Sequence, residues 1–338
     1  MKYYKVRELS KKQAEEIEIF VKAHPNAAYF QSTLFFYACR FSDLLTPFFY
    51  LAYRDTDTLA GVMLVFRQVQ YKWFPFDLLS SRNIIWGGPL VENNELEIYK
   101  GIYALYEKDK PLAIYTQVRN LSDQTLYLEL MQTLHYRYED HLNIIIDLNK
   151  SEEQLWQELN SKRRNEIRKA IKEDTVVELI NTRAGLETCY VILQEVYRRA
   201  KLPLPKFKHF EALLQTGTER DGLRVFVAKF DNKIIGCMIC LAYGDTLFDY
   251  YAGAYQENYD KHPNDLIPWE VFKWAKHNGF TKFDFGGAGK PGVPYGVRDY
   301  KKKFGGTLVN DGRFEKIHFP KLYKTATLAF QAWKYFKK

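Results

Sequence analysis

Apolar and polar positions along the chain form a pattern that occurs twice. Residues 48–66, FFYLAYRDTDTLAGVMLVF, and residues 223–243, LRVFVAKFDNKIIGCMICLAY, each read as an apolar strand, a turn containing aspartate, and a second apolar strand entered through Gly61 or Gly236. After each hairpin come another strand (IIWGGPLV, then TLFDYYAGAY), a helix start at Asn94-Glu95 or Asn264-Asp265, and a final strand (LAIYTQV, then KFDFGG). Before each hairpin the apolar spacing is helical: SKKQAEEIEIFVKAH and STLFFYACRF in the first copy, SEEQLWQELNSKRRNEIRKAIKE and LETCYVILQEVYRRA in the second. The pattern predicts an α/β (α+β) chain of two like units with mixed sheets, residues 1–148 and 149–316. A tail, residues 317–338, follows as a basic amphipathic helix whose Leu322, Ala326, Ala329, Phe330 and Trp333 recur at helical spacing. Docking of this helix on the body is expected rather than insertion into a membrane, with peripheral membrane contact as the further expectation.

Composition agrees with two domains. The chain has 338 residues, 46% hydrophobic and 16% aromatic, enough for two cores of roughly 150 residues each. A net charge of +8 points to an anionic partner: a phosphorylated substrate, a nucleic acid or a membrane surface. The amino terminus has no apolar signal core and no apolar run is long enough to span a bilayer, so a cytoplasmic location is expected. The four cysteines are too few and scattered for a disulfide framework, and Cys237 and Cys240 lie in a strand where residues three apart face opposite ways, so core packing is expected of them. No metal site is expected.

Candidate chemistry concentrates in residues 283–306, FDFGGAGKPGVPYGVRDYKKKFGG. Here a strand end runs into glycines, Gly287 among them, followed by Lys290, Arg298, Lys301, Lys302 and Lys303 around Tyr295, Tyr300 and Phe304. Glycines admit close approach of a ligand to the backbone, and the cations suit an anion. A second cationic element is the helix with Lys162, Arg163, Arg164, Arg168 and Lys169, in which Arg164 and Arg168 share a face.

The pieces YFQSTLFF (29–36), SKRRNEIRKAIKE (161–173), VYRRAKLPLPKF (196–207), FDFGG (283–287) and YGVRDYKKKFGG (295–306), in this order, resemble the FemABX peptidyltransferase superfamily, including its BioF2-like acyltransferase branch. Helix pair, antiparallel hairpin, strand, helix and strand is also the order of the GNAT acyltransferase fold. The resemblance implies two tandem GNAT-like domains, the second carrying the donor site. No coiled-coil arm interrupts the second domain, as in the shorter members. It implies an aminoacyl- or acyltransferase that moves an aminoacyl group from charged tRNA, or an acyl group, onto an amine such as that of a peptidoglycan-precursor peptide or a small molecule. Tyr300-Lys301 matches the family's Phe-Lys, which implies that Lys301 faces the donor phosphate or the developing oxyanion. It also implies an arginine near the acceptor, Arg198 or Arg199. Where some members carry a lysine for a nucleotide diphosphate, this chain reads Tyr37-Ala38-Cys39-Arg40, which argues against a nucleotide-linked acceptor.

No cofactor is expected. Coenzyme A enzymes of the GNAT type hold a pyrophosphate on a glycine-containing loop at a helix start, whereas the matching loop here is AYQENYDKHPNDLIPWE, without a glycine pair and with Glu257, Asp260 and Asp265. For removing a proton from the acceptor amine the candidates are Asp249 and Asp284, with loop anchoring the expected role of Asp284; Tyr295 is the candidate to protonate the leaving group. No Ser-His-Asp or Cys-His arrangement is legible, which favours direct transfer. Two other classes remain at this level: a coenzyme A-dependent N-acyltransferase and a non-catalytic RNA-binding module, the latter without any recognisable RNA-binding signature.

Overall fold

The structure, a computed structural model, describes residues 1–41, 45–71, 73 and 76–336, with side chains up to residue 328. Its chain divides into two compact units, residues 1–140 with 311–338, and residues 141–310.

Unit 1 begins with β1 (Lys2–Val6), α1 (Lys11–Ala23), α2 (Thr33–Arg40), the hairpin β2 (Leu45–Tyr53) and β3 (Leu59–Gln68), and α3 (Phe76–Leu79). It continues with β4 (Arg82–Trp86), β5 (Leu90–Val91), α4 (Leu96–Asp109), β6 (Tyr115–Arg119), α5 (Leu128–Thr133) and β7 (Arg137–Glu139). Unit 2 contains β8 (Leu142–Asp147), α6 (Glu152–Glu158), α7 (Ser161–Lys172), β9 (Val176–Leu179), α8 (Arg183–Arg199) and α9 (Phe207–Thr216). The hairpin β10 (Gly222–Phe230) and β11 (Lys233–Tyr243), then β12 (Thr246–Ala254), α10 (Pro263–His277), β13 (Lys282–Gly287), α11 (Gly296–Lys302) and β14 (Thr307–Asn310) complete it. The chain then returns to unit 1 as β15 (Arg313–Ile317) and α12 (Pro320–Phe336).

Both sheets are mixed. In unit 1 the order is β1-β2-β3-β4-β6-β15-β7, with β5 beside β3; in unit 2 it is β14-β8-β13-β12-β11-β10-β9. Each has one parallel pair, β4 with β6 and β12 with β13, and all other pairs are antiparallel. A parallel pair needs a crossover, supplied by α4 in one unit and α10 in the other. The repeated pattern of the sequence is thus a repeated fold, two GNAT-like units in tandem with no coiled-coil arm among the described residues.

The units divide at 140/141 and 310/311, where the sequence pattern set boundaries at Leu148 and Lys316. The strand at 142–147, expected to close the first copy, lies between β14 and β13 in unit 2, and β15 lies between β6 and β7 in unit 1. The long helix expected over 151–173 is two helices. Leu159 leaves the helical region at ψ 139°, and Asn160 caps α7 by accepting from the Lys162 N–H at 3.0 Å. The tail is helical to Phe336; its Tyr323 ring packs edge-on against Tyr115 at 5.3 Å, which docks it on unit 1. Leu322 and Ala326 are half-buried, whereas the side chains of Ala329, Phe330 and Trp333 lie outside the described residues.

The core of unit 1 is rich in tyrosine: Tyr50, Tyr99, Tyr103, Tyr106, Tyr127 and Tyr136 are buried together with Met63 and Ile102. That of unit 2 packs Ile167 and Ala170 of α7 and Val271 and Phe272 of α10 against Phe283 and Phe285 of β13. All four cysteines are reduced and buried, Cys237 against Cys189 of α8 and Cys240 in the opposite core, as the strand spacing predicts. No helix among the described residues is long and apolar enough to cross a membrane.

Candidate functional site

In unit 1 the parallel strands β4 and β6 stay paired from Arg82↔Tyr115 to Trp86↔Arg119, and Gly87 N–H then donates to the Arg119 carbonyl at 2.8 Å. In unit 2 the equivalent pair separates early. Strands β12 and β13 match only through Thr246↔Lys282, Leu247↔Phe283 and Phe248↔Asp284. Beyond that point the carbonyls of β13 have no strand to meet on this side, and buried carbonyls need donors.

Lys301 supplies them. Its ammonium, on α11, donates to the Phe285 carbonyl and to the Gly287 carbonyl, the latter at 3.2 Å. An ammonium has three N–H donors, so one is left without a protein acceptor among the described residues. Burial lowers the pKa of Lys301, while the charges of Asp249 and Asp284 act in the other direction. Burial raises Asp249 to about 6, with Lys301 opposing the rise and Asp284 adding to it. Asp249 is therefore a carboxylate that changes state close to neutrality beside a half-buried cation.

Asp284 has a different setting. Its Oδ1 accepts from the Gly286 N–H at 2.7 Å and from Asn143 Nδ2 at 2.9 Å, which anchors the strand end. Gly286 turns there with φ +67°, and a Cβ would lie 3.0 Å from Phe248 Cζ, so the position needs glycine. The loop that follows is braced by Arg298, whose guanidinium donates to the carbonyls of Lys290 at 2.7 Å, Val293 at 2.5 Å and Ala288 at 3.3 Å. Tyr295 precedes α11 with its ring against Gly289 and 41% exposed.

Behind Lys301, Tyr300 donates its hydroxyl to the Asn264 carbonyl at 2.5 Å, and burial pushes its phenol well above the usual range. Arg163 of α7 stacks on Tyr300 and Phe304 at 5.0 and 4.7 Å and pairs with Asp265 in the first turn of α10. The other face of β12 carries a bulge: Ile239 pairs Tyr251 and Cys240 pairs Asp249, leaving Tyr250 over. That extra residue puts Tyr250 and Tyr251 both toward α8 and α9, where Tyr251 meets Tyr197 at 5.3 Å and Phe210 at 5.0 Å. The Tyr250 hydroxyl lies 2.8 Å from Nε2 of His209, a histidine that burial lowers to about 4.

The structure thus gathers Lys301, Asp249, Tyr300 and Gly287, with Tyr295 and Arg298 on the adjoining loop and α11. The contacts of the predicted arginines of α7 and α8, Arg164, Arg168 and Arg199, lie elsewhere. Arg164 donates to the carbonyls of Leu159 at 2.6 Å and Gln157 at 3.0 Å, closing the end of α6. Arg168 lies over Trp156 at 5.3 Å. Arg199 bonds the Tyr259 hydroxyl at 2.6 Å and Glu195 at 3.2 Å, and Arg198 is exposed. Arg40 pairs with Glu8 at 3.3 Å in unit 1. Arg163, named among the cations of α7 but not chosen as a site residue, is the one that reaches the cluster through Tyr300. Its signal was its spacing: Arg163, Ile167 and Ala170 form the buried face of the helix. Tyr250 and His209 were illegible because a bulge shifts which residues share a face. Among the described residues no group of side chains has the makings of a metal site. A surface groove of about 410 Å³ beside Phe226, Trp274 and Val177 shares no residue with the Lys301 cluster.

Comparison with known proteins adds to this picture. Residues 161–302 match the acetyltransferase (GNAT) domain family, a span that includes both Asp249 and Lys301. The chain is 22% identical over 212 residues to the UDP-N-acetylmuramoylpentapeptide-lysine N(6)-alanyltransferase of Weissella viridescens, covering 62% of this chain and 60% of that one. It is 29% identical over 156 residues to the lipid II:glycine glycyltransferase of Staphylococcus haemolyticus, covering 44% and 37%. The matched stretch is thus less than two thirds of either relative. The crystal structure of FemX superposes with a TM-score of 0.75 at 17% identity, over 96% of this chain and 99% of that one, and shares its fold. In the order of its motifs, its tandem GNAT-like units and its named relatives, the chain is similar to the FemABX superfamily.

Proposed function

We propose that this protein transfers an aminoacyl group from charged tRNA onto the amine of a peptidoglycan-precursor peptide, at the opening between β12 and β13. The observation that carries the reading is Lys301, held by two backbone carbonyls where those strands part, with its charge acting on Asp249. The named relatives are an N(6)-alanyltransferase for the lysine of a UDP-N-acetylmuramoylpentapeptide and a glycyltransferase for lipid II, which supports an aminoacyl group and a cell-wall-precursor acceptor.

The chemistry follows from the residues. An amine attacks the ester carbonyl, a C–N bond forms, and negative charge develops on the carbonyl oxygen. The remaining N–H of Lys301 meets that charge. The attacking nitrogen gives its proton to Asp249, whose pKa of about 6 leaves it ionised but basic at neutral pH. As the C–O bond breaks, Tyr295 protonates the departing ribose oxygen. Arg298 keeps the loop beside Tyr295 in place through its three carbonyl bonds. No group of the protein is acylated.

The match to an acetyltransferase domain makes coenzyme A the rival donor. The start of α10 speaks against it, because Asp265 already occupies the first turn and pairs with Arg163. Incubating the protein with aminoacyl-tRNA or acyl-coenzyme A and a panel of lipid-linked, nucleotide-linked and free muropeptides, read by mass spectrometry, tests the proposal. A product formed from tRNA, with no coenzyme A binding by calorimetry, is expected. Product from acyl-coenzyme A alone, or tight binding of coenzyme A, would overturn the choice of donor.

A further inference from the structure

Unit 1 displays an aromatic and basic surface that the transfer chemistry does not use. Tyr71, Trp73 and Phe76 are 46%, 61% and 40% exposed, in the sequence YKWFPF over 71–76. The Trp73 and Phe76 rings lie 4.3 Å apart, so they form one apolar knob rather than scattered contacts. Tryptophan is seldom left this open in a folded domain, and clustered exposure marks a docking surface.

The neighbouring element is α12, which packs against α3, the helix that Phe76 begins. Its docked side carries Tyr323, while Lys321, Lys324 and Leu328 are exposed, the last by 56%. Across residues 320–338 there are five lysines and no acidic residue. The acid nearest in sequence to the knob, Asp77, faces Arg67 at 3.9 Å.

We propose that Tyr71, Trp73 and Phe76 together with Lys321 and Lys324 of α12 dock the protein on an anionic lipid bilayer, the aromatic rings entering the headgroup layer and the lysines meeting lipid phosphates. Charge complementarity selects this occupant: tryptophan and tyrosine favour the membrane interface, and an unbroken set of lysines favours anionic lipid over an uncharged or basic partner. The inference stands apart from the transfer reading, since vesicles alone test it.

Co-sedimentation of the full chain with vesicles of phosphatidylglycerol and phosphatidylcholine should show binding that vesicles of phosphatidylcholine alone do not give, and that high salt weakens. Trp73→Ala with Phe76→Ala, and separately Lys321→Glu with Lys324→Glu, should each weaken binding by roughly tenfold or more while leaving the melting temperature unchanged. No binding to anionic vesicles, or binding that neither pair of substitutions reduces, would overturn the proposal. A dimer of the wild-type chain that Trp73→Ala with Phe76→Ala makes monomeric, without vesicle binding, would assign the surface to a second copy and equally overturn it.

Discussion

Lys301 holds two carbonyls of a strand that has lost its neighbour, and its third N–H is the one the proposed reaction uses. Lys301 stood out in the sequence as a lysine in a cationic aromatic run after a glycine strand end. Its partners did not, because backbone carbonyls carry no sequence signal. Asp249 was named as a base from its place in FDYYAGA, and burial next to Asp284 gives it a pKa of about 6. Transfer should therefore fall about tenfold per unit as the pH drops below 6, where a protonated carboxyl cannot take the amine's proton. Asp249→Asn should be slow at every pH and lack that acid limb in its pH–rate profile. The same shift has a stability consequence. A raised acid pKa means the folded state binds more protons than the unfolded state between about 4 and 6, so stability declines as pH rises through that window. Asp249→Asn should then unfold at higher denaturant than wild type at pH 8, by on the order of 1–2 kcal/mol, and no differently at pH 4.

Among the elements, α7 and α11 position the cluster. Asn160 N–H, at the start of α7, donates to the Lys303 carbonyl at 2.9 Å, and Arg164 fixes the same junction through the last carbonyls of α6. The helix break at Leu159 and Asn160 escaped the sequence reading because its capping residue is embedded in a run of helix formers. Arg163 seals the other side, between Tyr300, Phe304 and Asp265. Removing it alone strands a buried carboxylate, so Arg163→Ala should destabilise by about 3–5 kcal/mol in urea unfolding. Arg163→Met with Asp265→Leu should recover most of the loss. Gly306, just after α11, has φ +79°, and a Cβ there would sit 2.5 Å from the Ile145 carbonyl oxygen. Gly306→Ala should lower the melting temperature by several degrees, roughly 1–3 kcal/mol in stability, with the helix content by circular dichroism retained.

For the whole molecule, the repeat of hairpin, strand, helix and strand was readable, because apolar periodicity is local to each element. Assignment of strands to sheets was not. The strands 142–147 and 313–317 look like ends of the copies they follow, yet each completes a sheet built from the other part of the chain. Residues 1–140 expressed alone should therefore fail to unfold cooperatively, since β15 is missing between β6 and β7, whereas residues 141–310 should melt as one unit. Among the described residues, unit 2 separates its parallel strands early and unit 1 does not, which is why the reaction is put in unit 2 although both units share a fold. The measurement that bears on this most directly is single-turnover transfer from aminoacyl-tRNA to a muropeptide amine by wild type and by Lys301→Ala, with tRNA binding followed in parallel. The account predicts a loss of about 10²- to 10³-fold in rate with tRNA binding retained. Equal rates from the two proteins would contradict it.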